Sequence, residues 1–331
     1  MPANLTPQYH KAEDAYRRAQ SPEERLNCLE EMLRTIPKHK GTDKLQADLK
    51  HKMKEVREEI AVEKKSPRGG AASRRIPRQG AGTVVVLGAP NAGKSRLVKE
   101  LSGANIEVAA YPFTTRESAP AMMRWQDVMV QLVDTPPITA EHFESTLSSV
   151  VRSADAAVVC FDGSADDAPD ETAAVFKQLS DRKTMLDEQT GFADDDYSIV
   201  KVRTLLAVTH AGDPDAPARL DLWYESGQPS LEKVFVELDD RASVEQARDA
   251  IYRLLDVVRV YTKAPGKKQD ETPPFTLPHG ASVEDVALKV HKDVAAKLKF
   301  AKLWAAGSHD PQTVGPQHVV NEGDLVELHT G

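Results

Sequence analysis

Residues 83–95 read TVVVLGAPNAGKS, and this stretch decides the fold. Thr83–Leu87 is an unbroken run dominated by β-branched residues, the pattern of a parallel strand buried on both faces. Gly88-Ala89-Pro90-Asn91-Ala92-Gly93-Lys94-Ser95 then fits G-x-x-x-x-G-K-[ST], and KSRLVKELSG after it reads as a helix. In a strand–loop–helix order the glycines let successive N–H groups curl inward toward phosphate oxygens, and the helix N-terminus adds its positive dipole end. Asn91, Ala92, Gly93, Lys94, Ser95 and Arg96 are therefore the expected phosphate-binding residues. Lys94 would reach the β- and γ-phosphates, and the Ser95 hydroxyl would ligate Mg²⁺.

Working downstream, DVMVQLVD, AAVVCFD and VRTLLAVTH read as strands. TLSSVVRSA, DETAAVFKQLSDRKTML and SVEQARDAIYRLL read as the helices between and after them. That alternation predicts an α/β domain with a P-loop-type parallel sheet over residues 83–256. Asp134 ends the second strand, where a carboxylate would hold the metal ion. Tyr111-Pro112-Phe113-Thr114-Thr115 lies where a loop hydroxyl would complete its shell, with Thr115 preferred over Thr114.

Upstream, SPEERLNCLEEML and a second stretch from about Asp43 to Glu63 carry leucines at helical spacing, so residues 1–63 are expected to hold an antiparallel helical hairpin. Residues 64–82, rich in Gly, Pro, Ser and Arg, read as a basic linker. At the other end, residues 257–331 offer VVRVYTK and FTLP as paired strands, then SVEDVALKVHKDV as a helix with Val283, Val286, Ala287 and Val290 on one face. AKLWAAG and DLVELHT follow as further strands of a small α+β roll. Trp304 is expected in its core, and His291 and His309 as packing or surface residues.

The net charge of −8 conceals an uneven distribution: residues 1–80 carry +6, residues 81–256 carry −14, and residues 257–331 balance. A basic front suits a polyanion such as RNA. Cys28 and Cys160 have no partner at zinc or redox spacing and are expected to be buried apolar residues. The acidic pairs and runs at Asp166-Asp167 and Asp194–Asp196 lack the spacing and glycine of a calcium loop and read as solvated loops. No apolar run is long enough to cross a bilayer and the N-terminus lacks a secretory layout, so a cytoplasmic protein is expected, with no membrane partner.

GAPNAGKS, AAYPFTT, an Asp-x-Pro segment and VRVYTKAPGK together make the chain resemble the Obg/Drg-type translational GTPases that carry a C-terminal TGS domain. The helical N-terminal stretch is similar to that of Drg-like members. The resemblance implies a GTPase domain, a ubiquitin-like β-grasp TGS domain, GTP and GDP as ligands, and partners among RNA, ribosomes or other translation components, met through the basic N-terminal region and the TGS-like domain. Asp213 then falls at the end of the base-recognition motif, with His210 at its start, and these are the expected base-binding residues.

Three departures from the family pattern bear on activity. Asp134-Thr135-Pro136-Pro137 stands for D-x-P-G, and Pro137 has no N–H to offer the γ-phosphate. His210-Ala211-Gly212-Asp213 stands for N-K-x-D, leaving Asp213 as the carboxylate for guanine. Glu237-Leu238 occupies the Ser-Ala position. Ile138 stands where some GTPases have a catalytic glutamine; a hydrophobic residue is usual there in the resembled family, and no catalytic side chain can be named. Glu141 and His142 read as loop residues. These features imply a GTPase of low intrinsic activity; the rival expectations are a hydrolytically weak nucleotide-binding adaptor and an ATPase with relaxed base specificity.

Overall fold

The computed structural model describes residues 5–19, 22–37, 42–65, 78–103, 119–144, 146–193, 196, 198–267 and 272–331. The chain begins with α1 (Pro7–Arg18), a helix that the sequence reading missed. Thr6 starts it by accepting the Tyr9 N–H at 3.2 Å. Tyr9 and Ala12 are buried one turn apart, but the rest of PQYHKAEDAYRR is too polar to mark a core face. The expected hairpin is α2 (Pro22–Thr35) against α3 (Asp43–Lys65), joined by buried Leu29, Met32, Leu45, Leu49 and Met53. Among the described residues the N-terminal unit is thus three helices, and Cys28 is half-buried on it rather than buried.

Most of the expected linker lies outside the described residues, but its end is fixed. Arg78 pairs with Asp155 at 2.9 Å, and the Ala81 N–H donates to Met129 O at 2.7 Å. Gly80 has φ 70°, and a Cβ there would stand 2.1 Å from Met129 O, so no side chain fits.

The central domain runs β1 (Thr83–Gly88), α4 (Lys94–Ser102), β2 (Ala119–Trp125), β3 (Val128–Asp134), α5 (Leu147–Ser153), β4 (Ala156–Asp162), α6 (Ala168–Ser180), β5 (Thr184–Asp187), β6 (Gly191–Phe192), β7 (Val200–Thr209), α7 (Ala216–Glu225), β8 (Glu232–Val236) and α8 (Arg241–Leu254). The sheet order is β2-β3-β1-β4-β7, with β8 along the second half of β7 and β5 and β6 along its first half. Strands β3, β1, β4, β7 and β8 are parallel, as expected, while β2 is antiparallel to β3. Helices cover both faces: Val84 and Val86 face α4 and α8, whereas Val85 and Leu87 face α5, α6 and the N-terminal helices. The helix expected through Leu186 ends at Ser180, because Lys183 turns the chain with φ 58° and Thr184–Asp187 joins β7 instead.

The C-terminal domain runs β9 (Val257–Lys263), β10 (Phe275–Pro278), α9 (Val283–Val290), α10 (Lys292–Ala296), β11 (Leu298–Trp304), β12 (Gln312–Val314) and β13 (Asp324–Thr330), with sheet order β10-β9-β13-β11-β12. Ser282 and Asp285 form a capping box at the start of α9, which seats Val283, Val286 and Ala287 on the sheet. Val290, expected on that face, is exposed, because the helix ends there and His291 caps α10. Trp304 lies on the opposite face of the sheet, half-buried, with the Lys263 ammonium 4.0 Å from its ring centroid. It is not a core residue, since its neighbours Ala301 and Leu303 take the inward positions.

The two domains meet at the β2–β3 turn. Arg259 of β9 pairs with Asp127 at 2.5 Å and with Glu322 at 2.6 Å, while its guanidinium lies 4.7 Å from the Trp125 ring centroid. Tyr261 donates to the other Asp127 oxygen. Lys11 of α1 reaches Asp285 of α9 at 2.5 Å.

Candidate nucleotide site

The C-terminal ends of β1, β3, β4, β7 and β8 converge on one edge of the sheet, where α/β proteins place ligands. Gly88 closes β1 at φ 150°, a Cβ there would sit 3.0 Å from Cys160 O, and Asn91 and Gly93 both take left-handed backbone at φ 61° and 82°. The loop thereby folds tightly over β4 and delivers the chain into α4. No side chain caps that helix. Its first N–H groups are those expected to face phosphate oxygens.

Lys94 is 7% exposed, and its ammonium donates to Ala89 O at 2.6 Å within its own loop. Burial pulls its pKa down, against the opposing pull of Cys160, Asp134 and Glu171. Cys160, which forms the floor of the loop, is pushed up to about 12 by burial and stays a neutral thiol. Arg96 points instead to Asp239, at the start of the turn into α8.

The Ser95 hydroxyl donates to Asp134 Oδ2 at 2.6 Å. The second oxygen, Asp134 Oδ1, is buried and has no hydrogen-bond partner among the described residues. An acceptor-only carboxylate oxygen without a donor, beside a hydroxyl and a phosphate loop, is the donor set that a hard divalent cation takes. The residues present therefore fit Mg²⁺. Thr114 and Thr115 lie outside the described residues.

Beyond Asp134 the chain turns under the loop. Thr135 Oγ1 donates to Val86 O at 2.7 Å, and Ile138, fully buried, donates its N–H to Gly88 O at 3.1 Å. Pro136 and Pro137 have no N–H, and the Thr139 N–H is bonded to His142 O at 3.1 Å. From 136 to 139, no backbone donor is free. Glu141 and His142 are exposed, as expected for loop residues.

At the far side of the site Thr209 Oγ1 donates to Ala92 O at 3.3 Å and to Phe161 O at 3.2 Å, tying β7 to the phosphate loop. His210, with φ 50°, turns its ring to Asp162 Oδ1 at 2.9 Å. Asp162 feels burial, which raises its pKa, but bonds from Ser164 and His210 outweigh this and hold it low. Asp213 Oδ1 accepts the Asp215 N–H and Arg219 Nη1, each at 2.9 Å. From the neighbouring loop Glu237 Oε2 accepts the Gly212 N–H at 3.0 Å, a contact that the sequence reading did not foresee. Gly212 was the available signal, since a glycine beside a missing motif residue marks close approach of another group.

Residues 83–190 match the family described as 50S ribosome-binding GTPase, and residues 258–330 match the TGS domain. The chain thus carries a GTPase domain followed by a TGS domain and is similar to GTP-binding proteins of the Obg/Drg type. An uncharacterized GTP-binding protein of Methanocaldococcus jannaschii is 27% identical, the match covering 92% of each chain. Developmentally-regulated GTP-binding protein 1 of Xenopus laevis is 26% identical over 90% of this chain and 96% of its own. The solved YchF GTPase of Schizosaccharomyces pombe shares the fold, with a TM-score of 0.53 at 12% identity, over 76% of this chain and 99% of its own. No helix among the described residues is long and apolar enough to cross a membrane.

Proposed function

We propose that the protein is a Mg²⁺-dependent guanine-nucleotide-binding protein with slow GTP hydrolysis, acting in translation or ribosome biology. One observation carries the reading: the Ser95–Asp134 pair, with Asp134 Oδ1 unsatisfied, stands at the mouth of a phosphate loop whose lysine is buried and poised. Ser95 and Asp134 would hold the cation, with Thr115 expected beside them, and bound Mg²⁺ supplies charge neutralisation on the phosphate oxygens. Lys94 brings a localised positive charge, and the uncapped turn of α4 orients the phosphates.

Slow hydrolysis follows from what surrounds the γ-phosphate position. Ile138 is buried and cannot order a water, and the chain from Pro136 to Thr139 offers no free donor for developing charge. The same features favour a second reading, a nucleotide-binding adaptor that hydrolyses little. Partnership with RNA or a ribosomal surface is supported by the basic N-terminal segment and the TGS match.

Calorimetric affinities for GTP, GDP, ATP and ADP with Mg²⁺, followed by phosphate release, test the proposal. Expected are guanine binding that needs Mg²⁺ for the triphosphate, and turnover well below one per minute. Absence of nucleotide binding by the folded chain sinks both readings, and binding without any phosphate release leaves the adaptor. Co-sedimentation with ribosomal subunits tests the partner.

A further inference from the structure

The parallel register of β7 and β8 sets Thr209 beside Val236, so the chain leaves the sheet at both strands side by side. His210–Gly212 and Glu237–Leu238 are therefore neighbours, and Thr209 ties this corner to Ala92 of the phosphate loop. A base attached to phosphates in that loop has this corner as its wall. Asp162 is taken up by His210 and Ser164, and the loops that form the wall carry two further carboxylates, Asp213 and Glu237.

Asp213 is occupied. Its Oδ1 takes two donors, and Arg219, which also pairs with Asp166 at 2.8 Å, neutralises its charge. Those bonds fold the turn from 213 into α7.

Glu237 is held differently. Its own N–H donates to Ser243 Oγ at 2.8 Å, and its carbonyl accepts the Asp240 N–H at 3.1 Å, which fixes the backbone ahead of α8. Only Oε2 is used by the side chain, on the Gly212 N–H, and no partner for Oε1 is found among the described residues. A Cβ at position 212 would stand 3.1 Å from that carboxylate. The bare glycine and the long acidic side chain opposite it are complementary: Glu237 fills space that any side chain at 212 would take.

We propose that Glu237 is the base-selecting carboxylate of this site, reaching from the β8 loop to the bare backbone at Gly212. The proposal rests on the guanine-nucleotide reading above. A carboxylate is acceptor-only, and guanine presents two adjacent donors, N1–H and the 2-amino group. Hypoxanthine keeps N1–H and lacks the amino group, whereas adenine offers an acceptor at N1. The carboxylate therefore ranks GDP above inosine diphosphate and inosine diphosphate above ADP.

The experiment is calorimetry on the full chain with GDP, inosine diphosphate and ADP, each with Mg²⁺, for wild type, Glu237→Ala, Glu237→Gln and Asp213→Asn, with thermal unfolding as the folding check. Expected is a GDP preference over inosine diphosphate of roughly tenfold or more, the scale of one hydrogen bond to a charged acceptor. Glu237→Ala should flatten that preference. Glu237→Gln, which keeps length and the contact to Gly212, should narrow it while ADP affinity holds or rises. If GDP binds but both Glu237 variants discriminate as wild type does, or Asp213→Asn alone abolishes the preference, the proposal is overturned while the guanine reading stands. If wild type binds none of the three, both fall together.

Discussion

Replacing Pro137 by glycine should turn a site that holds triphosphate and diphosphate alike into one that distinguishes them. The wild-type segment has no donor to give: Pro136 and Pro137 lack N–H groups, and those of Ile138 and Thr139 are bonded at 3.1 Å each. Pro137 is exposed, so a glycine there presents a new N–H without disturbing the Ile138 anchor on Gly88 O. A bond to a charged acceptor contributes about 1.5–3 kcal/mol. Removing a proline restores chain entropy worth about 0.4–1 kcal/mol against the ordered loop. The net gain for triphosphate over diphosphate is about 0.5–2.6 kcal/mol, or roughly 2–80-fold. Equilibrium titration of both proteins with GDP and a non-hydrolysable GTP analogue reads this ratio, and phosphate release should rise with it. A wild type that already binds the analogue a hundredfold more tightly than GDP refutes the reasoning, as does a glycine variant with an unchanged ratio.

Lys94→Ala and Ser95→Ala should each weaken triphosphate binding by about 2–3 kcal/mol while leaving unfolding temperature nearly unchanged. The Ser95 loss should vanish when Mg²⁺ is chelated, and a loss of equal size with and without the ion would contradict its role as a ligand. Arg259→Ala should loosen the TGS domain, and a double-mutant cycle with Asp127→Ala in chemical unfolding should return a coupling of about 1 kcal/mol; zero coupling would mean that the pair is incidental. Burial raises the Asp127 pKa, but bonds from Tyr261 and Arg259 outweigh it and hold it below the ordinary 3.8. Its contribution to stability is thus complete above the unfolded-state pKa and drains away as pH falls through the folded-state value. Wild type should lose more stability than Asp127→Ala on going from pH 5 to pH 3, and equal losses would exclude the effect.

Local pattern made the nucleotide end legible. Thr83–Ser95 carries strand, loop and helix signals in contiguous residues, and Asp134 follows from the end of an apolar run, so short-range physics sufficed. What failed depended on partners distant in sequence. Helix α1 is stable because Tyr9 and Ala12 bury against α2, not because of its own composition. Strand β5 carries a helical pattern because TML continues an apolar period, and the left-handed Lys183 that breaks it carries no glycine or proline signal. Arg96 follows the phosphate motif directly, yet Asp239, 143 residues away, takes its side chain. The departures at Pro137, His210-Ala211 and Glu237-Leu238 are visible as letters. Their joint meaning appears only when β7 and β8 bring residues 212 and 237 within one hydrogen bond.

The place where the TGS domain is fastened limits how it can take part in switching. Arg259 and Tyr261 grip Asp127 at the turn of the β2–β3 hairpin, and the other ends of those strands are Ala119 and Asp134. The hairpin thus joins the segment containing Thr115 to Asp134, the carboxylate proposed to hold Mg²⁺. Yet β3 is paired on both sides, antiparallel to β2 and parallel to β1 from Thr83↔Gln131 to Val86↔Asp134. Sliding it by one residue would turn Val130 and Leu132, both buried, toward the opposite face, and would break ladder bonds worth about 1 kcal/mol each. The Trp125 ring, stacked on Tyr252 at 3.5 Å and bonded to Asp249 of α8, pins the same end to a helix. The latch therefore sits on the rigid frame rather than on the loops proposed to touch nucleotide. A TGS domain held there is expected to keep its position relative to the phosphate loop, so that a partner seated on both domains would sense nucleotide through the loops beside it rather than through movement of the domain.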